Sequence, residues 1–241
     1  NPDSTFMAQF NEMDTNKAFE NNRTKWLDLG TDNYAGVTWG NIPERDGRKL
    51  FIGWMSNWLY GQEVPTTTWR SSMTLPRTLS VKYIDNLPVL AQELIVEHES
   101  LRMDTIGVKE GNINLPSESA TEVKFDGILD TQAEIELSNG EESLTINIDS
   151  LMQIIVDRTH LKANNIPKKM LTKHSFNRAI ASKQLKGTIV IDNTSIEVFL
   201  DNGTTVFTQI FFTERPFSKL SFNGVTFTDS RSLNAWKLDR I

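Results

Sequence analysis

Two carboxylates, a tyrosine and a run of tryptophans are the residues of this chain best suited to chemistry. Asp28, Asp32 and Tyr34 share the string DLGTDNY, and Trp54, Trp58, Tyr60 and Trp69 come after it. Carboxylates, amides and arginines hydrogen-bond hydroxyl groups, while indole faces stack on the apolar faces of sugar rings. A surface that mixes the two suits a carbohydrate. The competing reading is packing, since large aromatics also fill the space between sheets. Arg70 and Arg77, in the same stretch, read as ion-pair partners. Glu197 and Asp157, much later, read as solvent-face strand residues.

Other chemistries have little support. The three histidines, His98, His160 and His174, are far apart and lack the spacing of a zinc motif. No zinc site is expected, and His98 reads as a surface residue. The chain has no Cys, which excludes disulfides and thiolate catalysis. There is no glycine-rich phosphate loop and no nucleophile elbow. A net charge of −6 argues against a nucleic-acid partner. No run approaches the roughly 20 apolar residues of a membrane span.

The elements that must position these residues read as strands. Five of the six Trp and two of the three Tyr fall between Trp26 and Arg77. There, short β-like runs (Tyr34–Trp39, Leu50–Met55, Trp69–Leu75 and Thr78–Tyr83) alternate with polar turns at Asp46-Gly47 and Asp85-Asn86. Such units suit a propeller blade better than a sandwich. Pro88–Arg102 has weak helical spacing and reads as a connector. Beyond it, strand candidates recur at Ala120–Phe125, Ala133–Leu137, Ser143–Asp149, Gln153–Thr159, Gly187–Asp192, Ser195–Leu200, Thr204–Phe212, Lys219–Phe222, Val225–Thr228 and Leu233–Leu238. Turn signals at Asp192-Asn193, Asp201-Asn202-Gly203 and Asn223-Gly224 separate several of them. Many short strands without helices between them predict a β-sandwich. The expectation is an all-β chain: a partial propeller over residues 1–90, a connector over 91–110 and a sandwich over 111–241.

Several strings resemble a known family. WLDLGTDNYAGVTW, FIGWMSNWLYG and VPTTTWRSSMTLPR are similar to the later part of the catalytic propeller of glycoside hydrolase family 32, which holds invertases, levanases and inulinases. VDRT at Val156–Thr159 and IDNTSIEVFLDNG at Ile191–Gly203 resemble its C-terminal sandwich. The resemblance implies a five-bladed β-propeller followed by a β-sandwich. It also implies retaining hydrolysis of β-fructosides by two carboxyls about 5–5.5 Å apart, which needs no metal or organic cofactor. The motifs that carry the family's nucleophile (WMNDPNG-like), acid/base (EC) and substrate-holding acid (RDP) do not occur in the 241 residues. Arg45-Asp46-Gly47 is not the RDP motif.

The resemblance therefore implies the last propeller blades plus the sandwich, with the catalytic acids outside this chain and no activity from the chain alone. Asp32 and Tyr34 are expected at the rim of a fructose pocket, with Trp54, Trp58 or Trp69 as its stacking surface. The expected partners are a fructose-containing saccharide and either the missing N-terminal half of the propeller or a second copy bound through the exposed blade face. The alternative is a non-catalytic fructan-binding or structural module. The family also implies an extracellular or periplasmic location.

Overall fold

In the computed structural model, which describes residues 7–9 and 24–239, the chain is built almost wholly of strands. The first body opens with β1 (Met7–Gln9) and β2 (Thr24–Trp26), which pair antiparallel. It continues through β3 (Tyr34–Thr38), β4 (Lys49–Met55), β5 (Ser72–Met73), β6 (Arg77–Ile84) and β7 (Leu87–Leu94). Strands β3, β4, β6 and β7 lie in sequence order as an antiparallel meander, with β5 patched onto the end of β4. This is one propeller blade. The pattern of β4 explains its place: Phe51, Gly53 and Met55 are buried on one face, while Leu50, Ile52 and Trp54 are half-buried on the other. The β6–β7 turn uses Asp85 and Asn86, at φ 50° and 62°. Two such residues match the right-handed twist of the flanking strands.

Two expectations for this region need correction. The strand foreseen over Trp69–Leu75 shrinks to Ser72–Met73. Ser71 takes φ 60°, and the Arg70 guanidinium donates to the carbonyls of Gln62, Val64 and Thr66, so the approach stays a loop. The helical spacing of Pro88–Arg102 is also misleading. That stretch is the rest of β7, a 3-10 turn over Val96–Leu101, and the start of the second body.

The second body comprises β8 (Arg102–Ile106), β9 (Val108–Lys109), β10 (Asn112–Asn114), β11 (Thr121–Ser138), β12 (Ser143–Ile148), β13 (Gln153–His160), β14 (Lys173–Asn177), β15 (Gln184–Asp192), β16 (Ser195–Leu200), β17 (Thr205–Ile210), β18 (Lys219–Thr226) and β19 (Leu233–Leu238). Strand β11 belongs to both layers. Its first half pairs with β15 and β19, and its second half with β12 and β18. The switch falls at a register shift between Leu129 and Glu134. What the sequence suggested as two strands is thus one long bent strand. The same holds for β18, where Asn223-Gly224 is not a turn. Gly224 takes φ 68° inside a continuous strand opposite the bend of β11, which marks a bulge. Strand β14 was not foreseen.

The sandwich core holds inward residues from both layers, among them Val123, Ile135, Leu144, Ile146, Ile154, Val156, Leu185, Ile189, Ile196, Val198, Leu200, Phe207 and Leu220. The alternation of β16 puts Ile196, Val198 and Leu200 there. Its opposite face, expected in solvent, is also covered: Glu197 is 3 % exposed and Phe199 5 %. The blade lies over that face, with the Arg77 guanidinium 5.0 Å from the Phe199 ring centroid. Burial by a second domain, not the strand pattern, overturns the solvent-face reading of Glu197. Asp157 is buried too, where it accepts bonds from Thr159 and pairs with Lys173 at 2.9 Å.

His98 departs from expectation in the same way. It is buried at the passage between the bodies, 3.4 Å from Glu122. Arg102 grips both oxygens of Glu122 at 2.8 Å. Burial pushes the Glu122 carboxyl up, but Arg102, bonded to both of its oxygens, holds its pKa at about 2. Among the described residues, no helix is long and apolar enough to cross a membrane.

Candidate functional site

The site is built where the two bodies meet. Strand β17 ends its sheet with a free edge, and the segment 27–33 of the first body closes it. Leu29 N–H donates to Val206 O at 2.8 Å, and Asp32 N–H to Thr208 O at 3.3 Å. The side chains complete the match, with Thr208 N–H donating to Asp28 Oδ1 at 2.9 Å and Ile210 N–H to Asp32 Oδ2 at 3.1 Å. Gly30 is required here, because a Cβ would lie 2.0 Å from Thr208 O. Covering an edge strand in this way removes its unpaired backbone groups.

Two arginines pin the seam, one reaching across from each body. Arg77, on β6, donates to Asp28 Oδ2 at 2.9 Å, to Glu197 Oε2 at 2.7 Å, to Thr208 Oγ1 at 2.7 Å and to Gln92 Oε1 at 2.9 Å. The ion-pair reading of Arg77 is thereby met. Arg158, on β13, donates to Asp32 Oδ2 at 2.9 Å, to Ile210 O at 2.9 Å and to Tyr60 Oη at 3.3 Å. Tyr60 donates to Asp32 Oδ1 at 2.5 Å. Burial, followed by the charge of Asp32, pushes the Tyr60 phenol well above its ordinary value, so it stays a donor. Burial likewise presses the Glu197 carboxyl upward, against the pull of Arg77.

Asp32 therefore does not stand at a rim. It is fully buried, and its two oxygens accept from Arg158, Tyr60, Thr31 and the Ile210 amide. Its role is to anchor the start of β3. Tyr34, two residues on, pairs with Trp54 in the β3–β4 register. The Tyr34, Trp54 and Trp58 rings form one cluster. Tyr34 meets Trp54 edge-on at 6.2 Å and Trp58 edge-on at 6.5 Å, while Trp54 and Trp58 are tilted at 5.0 Å. Trp54 Nε1–H donates to the Ser71 hydroxyl, which fixes the indole. Trp58 is 59 % exposed and Trp69 45 %. Trp69 makes no ring contact with the cluster among the described residues.

The loop that carries Trp58 is tied down from beneath. Asn57 Nδ2 donates to Thr31 O at 2.8 Å, and its Oδ1 accepts from Leu59 N–H at 2.9 Å. The arrangement offers a rigid, partly exposed aromatic wall on a buried ionic base. A recess of about 720 Å³ lies elsewhere, between β7 and the sandwich. None of the five residues expected to bind substrate lines it, and its charged walls are largely paired with each other, as Arg102 is with Glu122 and Glu99. Among the described residues no group of three or more His, Cys, Asp or Glu is placed to hold a metal ion.

Sequence reasoning missed the roles of Arg158 and Tyr60. A signal for Arg158 exists: it shares the parity of the core residues Ile154 and Val156 on β13, where a charge is out of place without a buried partner.

Comparisons with known proteins agree with this architecture. Residues 1–93 match the profile described as "Glycosyl hydrolases family 32 N-terminal domain", and residues 97–237 match "Glycosyl hydrolases family 32 C terminal". A levanase of Bacillus subtilis (strain 168) is 29 % identical over 210 residues, covering 80 % of this chain and 31 % of that protein. An extracellular exo-inulinase of Aspergillus niger is 29 % identical over 220 residues, covering 79 % of this chain and 38 % of that protein. The crystal structure of the exo-inulinase from Aspergillus awamori superposes with a TM-score of 0.75 at 24 % identity, over 96 % of this chain and 48 % of that one. The chain thus spans less than half the length of these relatives. With both of its bodies matched, the chain belongs to glycosyl hydrolase family 32.

Proposed function

We propose that this chain is the later part of a retaining β-fructosidase, whose nucleophile and acid/base lie outside the 241 residues. One observation carries the reading: Tyr34, Trp54 and Trp58 form a partly exposed wall on the body that matches the family's N-terminal domain. That wall supplies the stacking face for a fructosyl unit of sucrose, levan or inulin. Levanase and exo-inulinase are the names of two relatives, and both act on fructose polymers by name. The word extracellular in the second supports a secreted or periplasmic location. Trp58→Ala in the complete protein is expected to weaken binding of a short fructo-oligosaccharide roughly tenfold. Calorimetric titration reads this, and an unchanged affinity removes Trp58 from the site.

The partner reading rests on the blade. Val37 is 59 % exposed, Trp39 43 % and Met73 50 %, all on the face that also carries Trp54. Apolar side chains grouped on one sheet face mark a surface that another body covers. In the complete protein that body is the rest of the propeller. Alone, the 241-residue chain is expected to pair with a second copy through this face. Sedimentation of the isolated chain tests it: Val37→Lys with Trp39→Glu should shift a dimer to monomer. A wild-type chain already monomeric at micromolar concentration refutes the pairing.

A further inference from the structure

We propose that Arg158 is a positioning residue for the aromatic wall, so that the sandwich sets the geometry of a site that lies on the blade. The inference rests on the proposed function for its sugar readout alone; its geometric content stands apart.

Half-buried Tyr34 and exposed Trp58 arrive at the wall on separate segments. Tyr34 lies two residues after Asp32, and Trp58 two residues before Tyr60. The bond from Tyr60 Oη to Asp32 Oδ1, at 2.5 Å, ties those segments together directly beneath the rings. The Asp32 carboxyl that accepts it has no exposure to solvent. Burying a carboxylate without a counter-charge is strongly unfavourable. Arg158 provides the counter-charge at 2.9 Å, and a second nitrogen of the same guanidinium reaches Tyr60 Oη at 3.3 Å. Its remaining bond, to Ile210 O at 2.9 Å, references the whole clamp to β17. The Arg158 guanidinium also lies 5.7 Å from the Tyr60 ring centroid. Among the described residues, Arg158 is the cation that pairs with Asp32. The sandwich thus contributes one side chain that fixes the spacing between Tyr34 and Trp58.

Three variants of the complete protein test this: R158M, R158K and Y60F. Y60F breaks the clamp without stranding a charge, so it serves if R158M does not fold. The first readout is the far-ultraviolet exciton couplet of Trp54 and Trp58, assigned by its loss in W58F. The second is the split between KM and kcat on a short fructo-oligosaccharide. R158M and Y60F are expected to diminish the couplet and to raise KM about tenfold, with kcat within about threefold, because ground state and transition state share the wall. R158K should lie between them and the parent, since an ammonium keeps the charge but not the fork. A couplet and a KM that stay at parental values while only the melting temperature falls would overturn the proposal. A couplet that changes in a protein that binds no fructoside supports the positioning role and refutes the functional reading.

Discussion

Arg77→Met is expected to cost the fold about 3–5 kcal/mol, the range for breaking a buried ion pair from one side. Arg77 has no exposed surface and is ion-paired with two carboxyls, Asp28 on the segment 27–33 and Glu197 on β16. Methionine fills the volume but leaves both acids buried. Denaturant unfolding measures the loss as a fall in midpoint with the slope kept. The deficit should also depend on pH, with a defined sign. Without Arg77, only the Leu75 amide opposes the upward push of burial on the Glu197 carboxyl. A folded-state pKa above the unfolded value means that the folded variant binds the extra proton. Its stability is therefore greatest at low pH and falls as pH rises through the raised pKa. R77M should lose more, relative to the parent, at pH 8 than at pH 5. Adding Glu197→Gln should recover part of the loss and flatten that pH dependence. An R77M deficit below 1 kcal/mol, the same at both pH values, would mean that water reaches these acids and the seam is not dry.

The residues of this seam mark where sequence reasoning succeeds and where it stops. The blade and the sandwich were legible because strand period and turn chemistry are local. Asp85-Asn86 forms the tight turn that its residues require, and the alternation of β16 places Ile196, Val198 and Leu200 in the core. Lengths were less legible. Strand β11 continues through Asp130, Thr131 and Gln132, three polar residues that read as a loop, because a strand that changes layers needs no apolar partner at its bend. The docking of the two bodies left no local trace. Glu197 and Asp157 sit at outward parity, and only the blade or a neighbouring lysine explains their burial. Of the expected site, Tyr34, Trp54 and Trp58 come together, since β3 and β4 are neighbours in chain order. Asp32 does not join them, because its environment is set by Arg158 from a strand 126 residues away. The fates of these residues divide by contact distance along the chain, not by residue type.

The 241-residue chain alone is expected to release no fructose from sucrose, levan or inulin above the rate in buffer. Retaining hydrolysis needs an ionised nucleophile and a protonated acid, both open to substrate and about 5–5.5 Å apart. The acids beneath the aromatic wall are not open to substrate. Asp28 is fully buried and accepts from Arg77, Asn33, Thr208 and the Gly30 amide. Asp32 is held by Arg158 and Tyr60, and Glu197 by Arg77 and the Leu75 amide. A carboxylate with both oxygens engaged in a buried seam cannot reach an anomeric carbon. Enzymes of this kind exceed the uncatalysed rate by factors on the order of 10⁶ or more, so the contrast is easily measured. Reducing-sugar release by the purified chain, at verified intact mass, is the measurement. If fructose is released and Asp28→Asn or Asp32→Asn abolishes it without lowering the melting temperature, the seam acids are catalytic and the assignment of the chemistry to other blades is wrong. If nothing is released, and activity returns when the preceding propeller segment is supplied in trans, the wall of Tyr34, Trp54 and Trp58 is one side of a site whose acids face it from that segment. In that restored enzyme, Trp58→Ala should raise KM and leave kcat nearly unchanged, since the wall binds the sugar and takes no part in moving its proton.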